Sequence, residues 1–341
     1  MKEETLFNPR YLLLPVVIGL GVIGWLFWRE CDWSVLASLR PDGRMWLGVA
    51  LACGCMVCQN LALMGRFRLM TGGKLSWKQL FRVNILCEFT SAATPSSVGG
   101  SSLIALYLYK EGLKGGEGTT IMISCLFLDE LFLSVACVLV LCFFPFGELF
   151  KGVLLPDFGV QWLFMGVLGV VMVWTLVLYW ALFHKAEWVK KVLLALFSLP
   201  FLRRWKRNIN RLTDDLVVSS QEMRGRSFWF WLSCFGMTVW AWCSRYWVVN
   251  ALIFAFAVGG DQLLAFVRQL VIWVILMISP TPGGSGLSEY MFGVYYADFF
   301  PVKGTVLVVA LVWRVITYYS YLVAGACVLP YWLNLKKRGN R

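Results

Sequence analysis

The chain has 341 residues, of which 59% are hydrophobic and 15% are charged. This composition excludes an ordinary soluble domain, whose surface needs more polar residues, and favours a protein of the lipid bilayer. The 18 tryptophans and 12 tyrosines fit two membrane–water interfaces. We attribute the net charge of +12 to membrane orientation and anionic lipid, and expect no nucleic-acid partner. Cys53, Cys55 and Cys58 lie in an apolar segment without histidine, so we expect neither a metal nor a cofactor.

Six apolar segments are each long enough for a helix that crosses the hydrocarbon, which takes about 20 residues. They cover about residues 11–28, 45–64, 119–144, 161–183, 228–256 and 304–333. Two further apolar regions, about 83–107 and 263–297, are interrupted by polar breaks. The breaks read Thr94-Pro95-Ser96-Ser97-Val98-Gly99-Gly100-Ser101-Ser102 and Ser279-Pro280-Thr281-Pro282-Gly283-Gly284-Ser285-Gly286.

Loop charge predicts the orientation of these segments. The basic segments 65–82 and 184–226 and the C-terminal tail are predicted to face the cytoplasm, and 145–160 to face outside. The region 83–107 must then enter from the cytoplasm and return to it. By the same count, 263–300 enters from outside and returns there. Both breaks therefore lie in predicted re-entrant hairpins of opposite orientation, although eight simple spans with proline kinks are an alternative.

This topology predicts an all-α integral membrane protein with about six full transmembrane helices and two re-entrant hairpins. We assign 1–341 to a single membrane domain whose two inverted repeats cover about 45–144 and 228–333. The linker, about 184–226, contains a predicted interfacial helix near 186–200. Both termini are expected in the cytoplasm.

The two breaks are candidate sites for an anion. Proline and glycine within the membrane free backbone N–H groups, which are tolerated where they line a wet cavity. Helices that start after Gly100 and Gly286 would direct positive dipole ends toward it, and a lipid phosphate is the natural anion there. Tight turns without a ligand are the alternative. The predicted headgroup site comprises Thr94, Pro95, Ser96, Ser97, Gly99, Gly100, Ser101, Thr281, Pro282, Gly283, Gly284, Ser285, Gly286 and Glu289.

Charged residues inside or beside apolar segments form a second group, since a charge at the bilayer centre is costly unless it is paired or hydrated. We expect Asp129 or Glu130 to pair with Arg245 or Arg314. Such pairs would either lock helices together or line a hydrophilic path for a headgroup. The predicted intramembrane charges are Glu88, Asp129, Glu130, Arg245, Arg268 and Arg314.

The second break followed by Glu289 resembles the signature of the flippase-like membrane domain of lysylphosphatidylglycerol synthases. Pro95 and Gly99-Gly100 occupy the place of that family's earlier glycine-rich break. The resemblance covers span count and motif order over nearly the whole chain, and it implies movement of lipid between leaflets. We expect a stand-alone member without the soluble domain that aminoacylates phosphatidylglycerol in bifunctional members, and hence without synthase activity.

These observations favour a flippase of the bacterial cytoplasmic membrane rather than an enzyme. It would move a phosphate-containing lipid, aminoacylated lipids included, through a midplane cavity. The expected partners are anionic phospholipid or polyprenyl phosphate, with a separately encoded lipid-modifying enzyme as a further candidate. The alternative is a membrane-embedded polyprenyl-pyrophosphate phosphatase, whose inverted hairpins also have serine-rich tips. Neither break contains the arginine or histidine that this chemistry needs, and Arg268 is the residue that could approach.

Overall fold

The structure is a computed structural model that describes residues 42–94, 103–150, 159–183, 187, 191, 195, 221, 223–257, 259–300 and 303–339. Within these residues the regular elements are helical, which confirms the predicted all-α membrane protein. Five helical stretches are long and apolar enough to cross a membrane: Gly43–Met70, Gly116–Phe143, Val160–Trp180, Phe228–Phe256 and Gly304–Trp332. They coincide with five predicted spans. The sixth, 11–28, lies outside the described residues, as does nearly all of the predicted interfacial helix.

The helices are numbered here in chain order. They are α1 (Gly43–Met70), α2 (Trp77–Ala93), α3 (Ile104–Lys110), α4 (Gly115–Phe143), α5 (Phe146–Leu149), α6 (Val160–Phe183), α7 (Phe228–Phe256), α8 (Gln262–Leu276), α9 (Leu287–Tyr296), α10 (Lys303–Arg314) and α11 (Ser320–Gly339). A π-helical turn, Val315–Tyr319, joins α10 to α11 into one continuous span.

Local sequence signals set the ends of α1 and α2. Asp42 caps α1 by accepting a hydrogen bond from the Met45 N–H at 2.8 Å. The helix ends before Gly72, whose φ of 59° is costly for residues with a side chain. Ser76 and Gln79 then form a capping box that starts α2. The helix α1 therefore runs well beyond the predicted span at 45–64, and this extension carries a buried arginine described below.

The first hairpin consists of α2, the break after Thr94, and α3. Near the break, the hydroxyl groups of Thr90 and Tyr107 are hydrogen-bonded at 2.7 Å. At the other end, Arg82 and Glu111 form an ion pair at 3.0 Å. Because both ends of the segment meet in this way, α2 and α3 run antiparallel and the chain turns back on itself.

The second hairpin, α8 and α9, is built in the same way. Its base is closed by an ion pair between Arg268 and Asp298 at 2.7 Å. The Tyr296 hydroxyl donates to the Ala265 carbonyl at 2.9 Å, which ties the two helices together. Each hairpin thus has an arginine in its first helix and an acidic residue just after its second. The re-entrant insertion of both hairpins into the bilayer stays a prediction.

The helices α1 and α7, one from each predicted repeat, pack antiparallel. Gly48 near the start of α1 lies against Ala251 and Ala255 near the end of α7, whereas Gly65 lies against Met237. At Gly48 the helices are so close that an added Cβ would lie 2.5 Å from the Ala255 Cβ. An antiparallel contact of this kind fits the predicted inverted repeats, which stay a prediction.

The tips of the two hairpins meet inside the molecule. The Gly283 N–H donates to the Thr94 carbonyl at 3.3 Å. The Tyr318 hydroxyl, from the π-helical turn, donates to the Ala92 carbonyl at 3.1 Å. Thr94, where the first break begins, therefore lies against the second break, although the two are far apart in sequence.

Candidate functional site: a polar cavity between the hairpins

A cavity of about 250 Å³ lies where the two hairpin tips and the long helices converge. The regions 45–144 and 228–333 both contribute to its wall, so neither could form it alone. Its charged lining residues are Arg66, Glu88, Asp129, Glu130, Arg245 and Arg314. The neutral polar and aromatic residues of the wall include Gln59, Asn84, Trp242, Tyr246, Gln269, Trp273, Thr317, Tyr318 and Tyr321.

Arg66 and Asp129 form the first ion pair of the cavity. Two guanidinium nitrogens of Arg66 contact the two carboxylate oxygens at 2.6 and 3.2 Å. Arg66 also donates to the Thr238 hydroxyl at 3.0 Å, and the Trp242 indole N–H donates to Asp129 at 2.8 Å. This two-point contact joins α1, α4 and α7 and compensates charges that would otherwise be costly within the membrane.

Arg245 and Glu88 form the second pair, at 3.1 Å, and join α7 to the first hairpin. The Arg245 guanidinium also lies over the Trp273 ring, 5.2 Å from its centroid. Of the three cavity arginines, Arg245 is the most accessible, with 19% of its side chain exposed against 4% for Arg66 and 5% for Arg314. It is therefore the arginine best placed to meet a ligand.

Arg314 and Glu289 form the third pair, at 2.6 Å, directly behind the second break. Arg314 also donates to the Gly283 carbonyl at 3.1 Å and to the Ser285 hydroxyl at 3.3 Å. Its guanidinium lies 4.2 Å from the centroid of the Tyr318 ring. Arg314 therefore fixes the shape of the break as well as the charge beside it.

The predicted pairing of Asp129 or Glu130 with Arg245 or Arg314 is wrong. Asp129 pairs instead with Arg66, a residue that the loop-charge argument placed outside the membrane. Arg66 lies in the last turns of α1, where only 3% of it is exposed. Arg245 and Arg314 pair instead with Glu88 and Glu289, which flank the two breaks.

Most of the hydrogen-bond donors of the second break already have acceptors within the protein. Glu289 accepts from the Gly286 N–H at 2.7 Å and from the Ser288 hydroxyl at 2.8 Å. The dipole end of α9, predicted to face a lipid phosphate, is thus occupied by this carboxylate. The Thr281 hydroxyl donates to the Ser285 carbonyl at 2.8 Å. Of the predicted residues of this break, Gly283 and Gly284 line the cavity, and both have positive φ.

The first break is described only up to Thr94, whose carbonyl accepts from Gly283. The predicted site residues Pro95, Ser96, Ser97, Gly99, Gly100 and Ser101 lie outside the described residues. Arg268, considered as a partner for these serines, lies at the base of the second hairpin. It pairs with Asp298 and donates to the Tyr295 carbonyl at 2.7 Å, away from the tips.

Four buried polar atoms on the cavity wall have no hydrogen-bond partner among the described residues. They are Gln59 Oε1, Arg66 Nε, Glu130 Oε2 and Tyr246 Oη. Buried polar atoms are usually hydrogen-bonded, so each of these four is an energetically costly exception on the cavity wall. Glu130 is the only one of the four that is a carboxyl group.

Sequence reasoning missed several cavity residues, chiefly Arg66. One signal could have identified it: Gly72-Gly73 stops a helix, so Arg66 belongs to the span before it. Glu289 follows Gly286 by three residues, the spacing at which a glutamate caps its own helix. Gln59, Asn84, Trp242, Tyr246 and Trp273 carry no such signal, because polar and aromatic residues in apolar spans are common at helix contacts.

The fold and the cavity define a polytopic α-helical membrane protein with a charged cavity between two hairpins. Residues 12–325 match the family described as the lysylphosphatidylglycerol synthase TM region, so the chain belongs to that family. The chain is also similar to a UPF0104 membrane protein from Archaeoglobus fulgidus. The two are 22% identical over 335 residues, which cover 94% of this chain and 96% of the relative. The resemblance stated from the second break is thus confirmed.

Proposed function

We propose that the protein transports lipid between the leaflets of the membrane. The headgroup of a phosphate-containing lipid, aminoacylated lipids included, enters the cavity while its acyl chains stay in the bilayer. The observation that carries this proposal is the convergence of six charged side chains on one cavity inside apolar helices. Charges at this depth mark a path for a polar or ionic substrate. Membership of the lysylphosphatidylglycerol synthase membrane family supports a lipid as that substrate.

Arg245 is the proposed phosphate contact. Its guanidinium has five N–H donors, and its exposed part faces the cavity beside the Trp273 ring. Gly283 and Gly284 form the adjacent wall. The hydrogen-bond donors of the second break are largely bonded within the protein. The proposed phosphate contact therefore lies on the helix α7, and not at the break that the sequence predicted.

The proposal places no bond-breaking step in the cavity. Arg268 is held at the base of the second hairpin, which weakens the argument for a phosphatase that uses it on the serines of the first break. The proposed location is the bacterial cytoplasmic membrane, with both termini in the cytoplasm. A separately encoded enzyme that modifies the lipid stays a candidate partner.

Reconstitution tests the proposal directly. Proteoliposomes containing headgroup-labelled phosphatidylglycerol are treated with a membrane-impermeant quencher, and released phosphate is measured in the same samples. We expect the protein to accelerate exposure of inner-leaflet label without releasing phosphate. Arg245→Gln should slow transfer at least tenfold, whereas Lys78→Gln, an exposed site on α2, should leave it unchanged. Phosphate release, or transfer no faster than in empty liposomes, would overturn the proposal.

A further inference from the structure

The charges around the cavity balance except at one residue. Arg66, Arg245 and Arg314 are each paired with one carboxylate, namely Asp129, Glu88 and Glu289. Glu130 is a fourth carboxyl group, and within the part of the chain that the structure describes it has no cationic partner. The break at 95–102 contains no ionisable side chain that could supply one.

Glu130 is also placed where an ionised carboxylate is disfavoured. It lies near the middle of the apolar stretch Gly116–Phe143, beside Asp129, which is paired with Arg66. Its Oε2 atom is buried and accepts no hydrogen bond from the described residues. A carboxylate without a partner in such surroundings is strongly destabilised, and a proton is the simplest group that can neutralise it.

An anionic headgroup makes an ionised Glu130 still less favourable. A phosphodiester carries one negative charge, so its entry beside an ionised Glu130 would put two uncompensated negative charges in one small cavity. Protonation of Glu130 removes its charge and leaves the three arginine pairs neutral. Binding of an anionic headgroup and ionisation of Glu130 are therefore opposed to each other.

We propose that Glu130 takes up one proton when an anionic lipid headgroup occupies the cavity and releases it when the headgroup leaves. The inference rests on the proposed lipid transport and adds its energy coupling: one proton moves in the same direction as each anionic lipid. The step is Glu130–COO⁻ + H⁺ giving Glu130–COOH, with the proton drawn from the aqueous side to which the cavity is open. No bond of the lipid changes.

The other ionisable groups of the wall do not take this role. The carboxylates of Glu88 and Asp129 are each held by an arginine. Cys87, Tyr246, Tyr318 and Tyr321 are uncharged in their ordinary state at neutral pH. The ionisable groups that line the cavity with Glu130 are Arg66 from α1, Cys87 and Glu88 from α2, Asp129 from α4, Arg245 and Tyr246 from α7, Arg314 from α10, Tyr318 from the π-helical turn and Tyr321 from α11.

The test is the number of protons taken up per lipid bound. Dihexanoyl phosphatidylglycerol is titrated calorimetrically into the detergent-solubilised protein in buffers of different ionisation enthalpy. We expect uptake of close to one proton at a pH where Glu130 is ionised in the free protein. There, affinity should fall about tenfold per pH unit, as linkage to one proton requires. Glu130→Gln, which resembles the protonated state, should bind with little pH dependence and take up no proton.

Two further variants keep the result interpretable. Glu130→Asp retains a titratable group and should retain proton uptake. Glu117→Gln makes the same chemical change as Glu130→Gln on the same helix, at a residue that pairs with Lys74 outside the cavity, and should behave like the wild type. No proton uptake by the wild type, or uptake unchanged in Glu130→Gln, would overturn the proposal.

Proteoliposomes with a pH difference separate the coupling from transport itself. Labelled phosphatidylglycerol should move preferentially toward the alkaline side in the wild type, and without this preference in Glu130→Gln. If the wild type transfers lipid at the same rate in both directions despite the pH difference, the coupling to protons is overturned but lipid transport is not. Proton uptake on binding without any transfer would support the Glu130 assignment and overturn transport. A different pair of results would indicate that Glu130 binds the ammonium group of a lipid. These results are that Glu130→Gln no longer binds phosphatidylethanolamine and that the wild type binds phosphatidylglycerol independently of pH. They would overturn the proposed proton uptake.

Discussion

The N–H of Gly283 is hydrogen-bonded to the carbonyl of Thr94 at 3.3 Å, so a bond between backbone atoms joins the second hairpin to the first. Gly283 has a φ of 56°, and a Cβ at this position would run into the Tyr318 ring. The same ring carries the hydroxyl that donates to the Ala92 carbonyl. The contact between the two hairpins therefore requires a residue without a side chain at position 283.

Gly283→Ala should destabilise the protein and abolish lipid transfer. The left-handed backbone costs a residue with a side chain about 1–2 kcal/mol, and displacement of the Tyr318 ring adds to that cost. The thermal midpoint of the purified variant measures the effect. Gly54→Ala on α1 is the control, because its added Cβ meets open space in a helix and should be neutral or stabilising. Equal midpoints for the two variants would contradict this prediction.

Arg66→Gln should be strongly destabilising. It leaves Asp129 without its bidentate cationic partner inside the fold, and breaking a buried pair costs about 3–5 kcal/mol. The matched comparison is Lys74→Gln, which breaks the pair with Glu117 in which 60% of the lysine side chain is exposed. That pair should contribute about 0–1 kcal/mol. Chemical unfolding of both variants in the same detergent measures the difference, and similar losses would argue against a structural role for Arg66.

Gly48→Ala should weaken the contact between the repeats. The added methyl group would overlap Ala255 on α7, and overpacking of this kind costs about 1–3 kcal/mol. Gly236→Ala on α7 provides the control, since its Cβ would contact nothing within 4 Å. The fraction of monodisperse protein after mild heating measures the outcome. A Gly48→Ala variant as resistant as the control would show that α1 and α7 can separate without harm.

Cysteine labelling tests the orientation of the hairpins. In a background without native cysteines, Lys114→Cys lies after the first hairpin and Gln262→Cys at the start of the second. A membrane-impermeant maleimide applied from outside should label position 262 and leave 114 unlabelled until the membrane is opened. Labelling of 114 from outside would remove the re-entrant interpretation of the first hairpin and the inversion argument with it.

Hydropathy and turn chemistry were sufficient to predict the five described spans and the second break. The apolar stretch 228–256 coincides with α7, and the second break ends where α9 begins, after Gly286. These features depend on local sequence, because a helix in lipid must satisfy its own backbone. The family signature at 280–289 follows from the same local pattern.

Partners of the intramembrane charges could not be predicted in this way. Arg66 and Asp129 are 63 residues apart, and only the packing of α1 on α4 and α7 brings them together. Loop-charge reasoning counts an arginine near the end of a span as a signal of orientation. For this reason it did not identify Arg66 as a buried partner of Asp129. The cavity itself is likewise a property of packing, since its walls come from both repeats.

The helix α6 is the least buried of the five long helical stretches, with 28% of its most apolar part buried, and it belongs to neither predicted repeat. Its consequence concerns the number of membrane crossings between the two predicted repeats. In the predicted topology each repeat has two crossings and a re-entrant hairpin, so it begins and ends on the same side, and two repeats joined directly would point the same way. One extra crossing, supplied by α6, would reverse the second repeat. Without α6, the same architecture would require two separate chains inserted in opposite directions, as in an antiparallel homodimer.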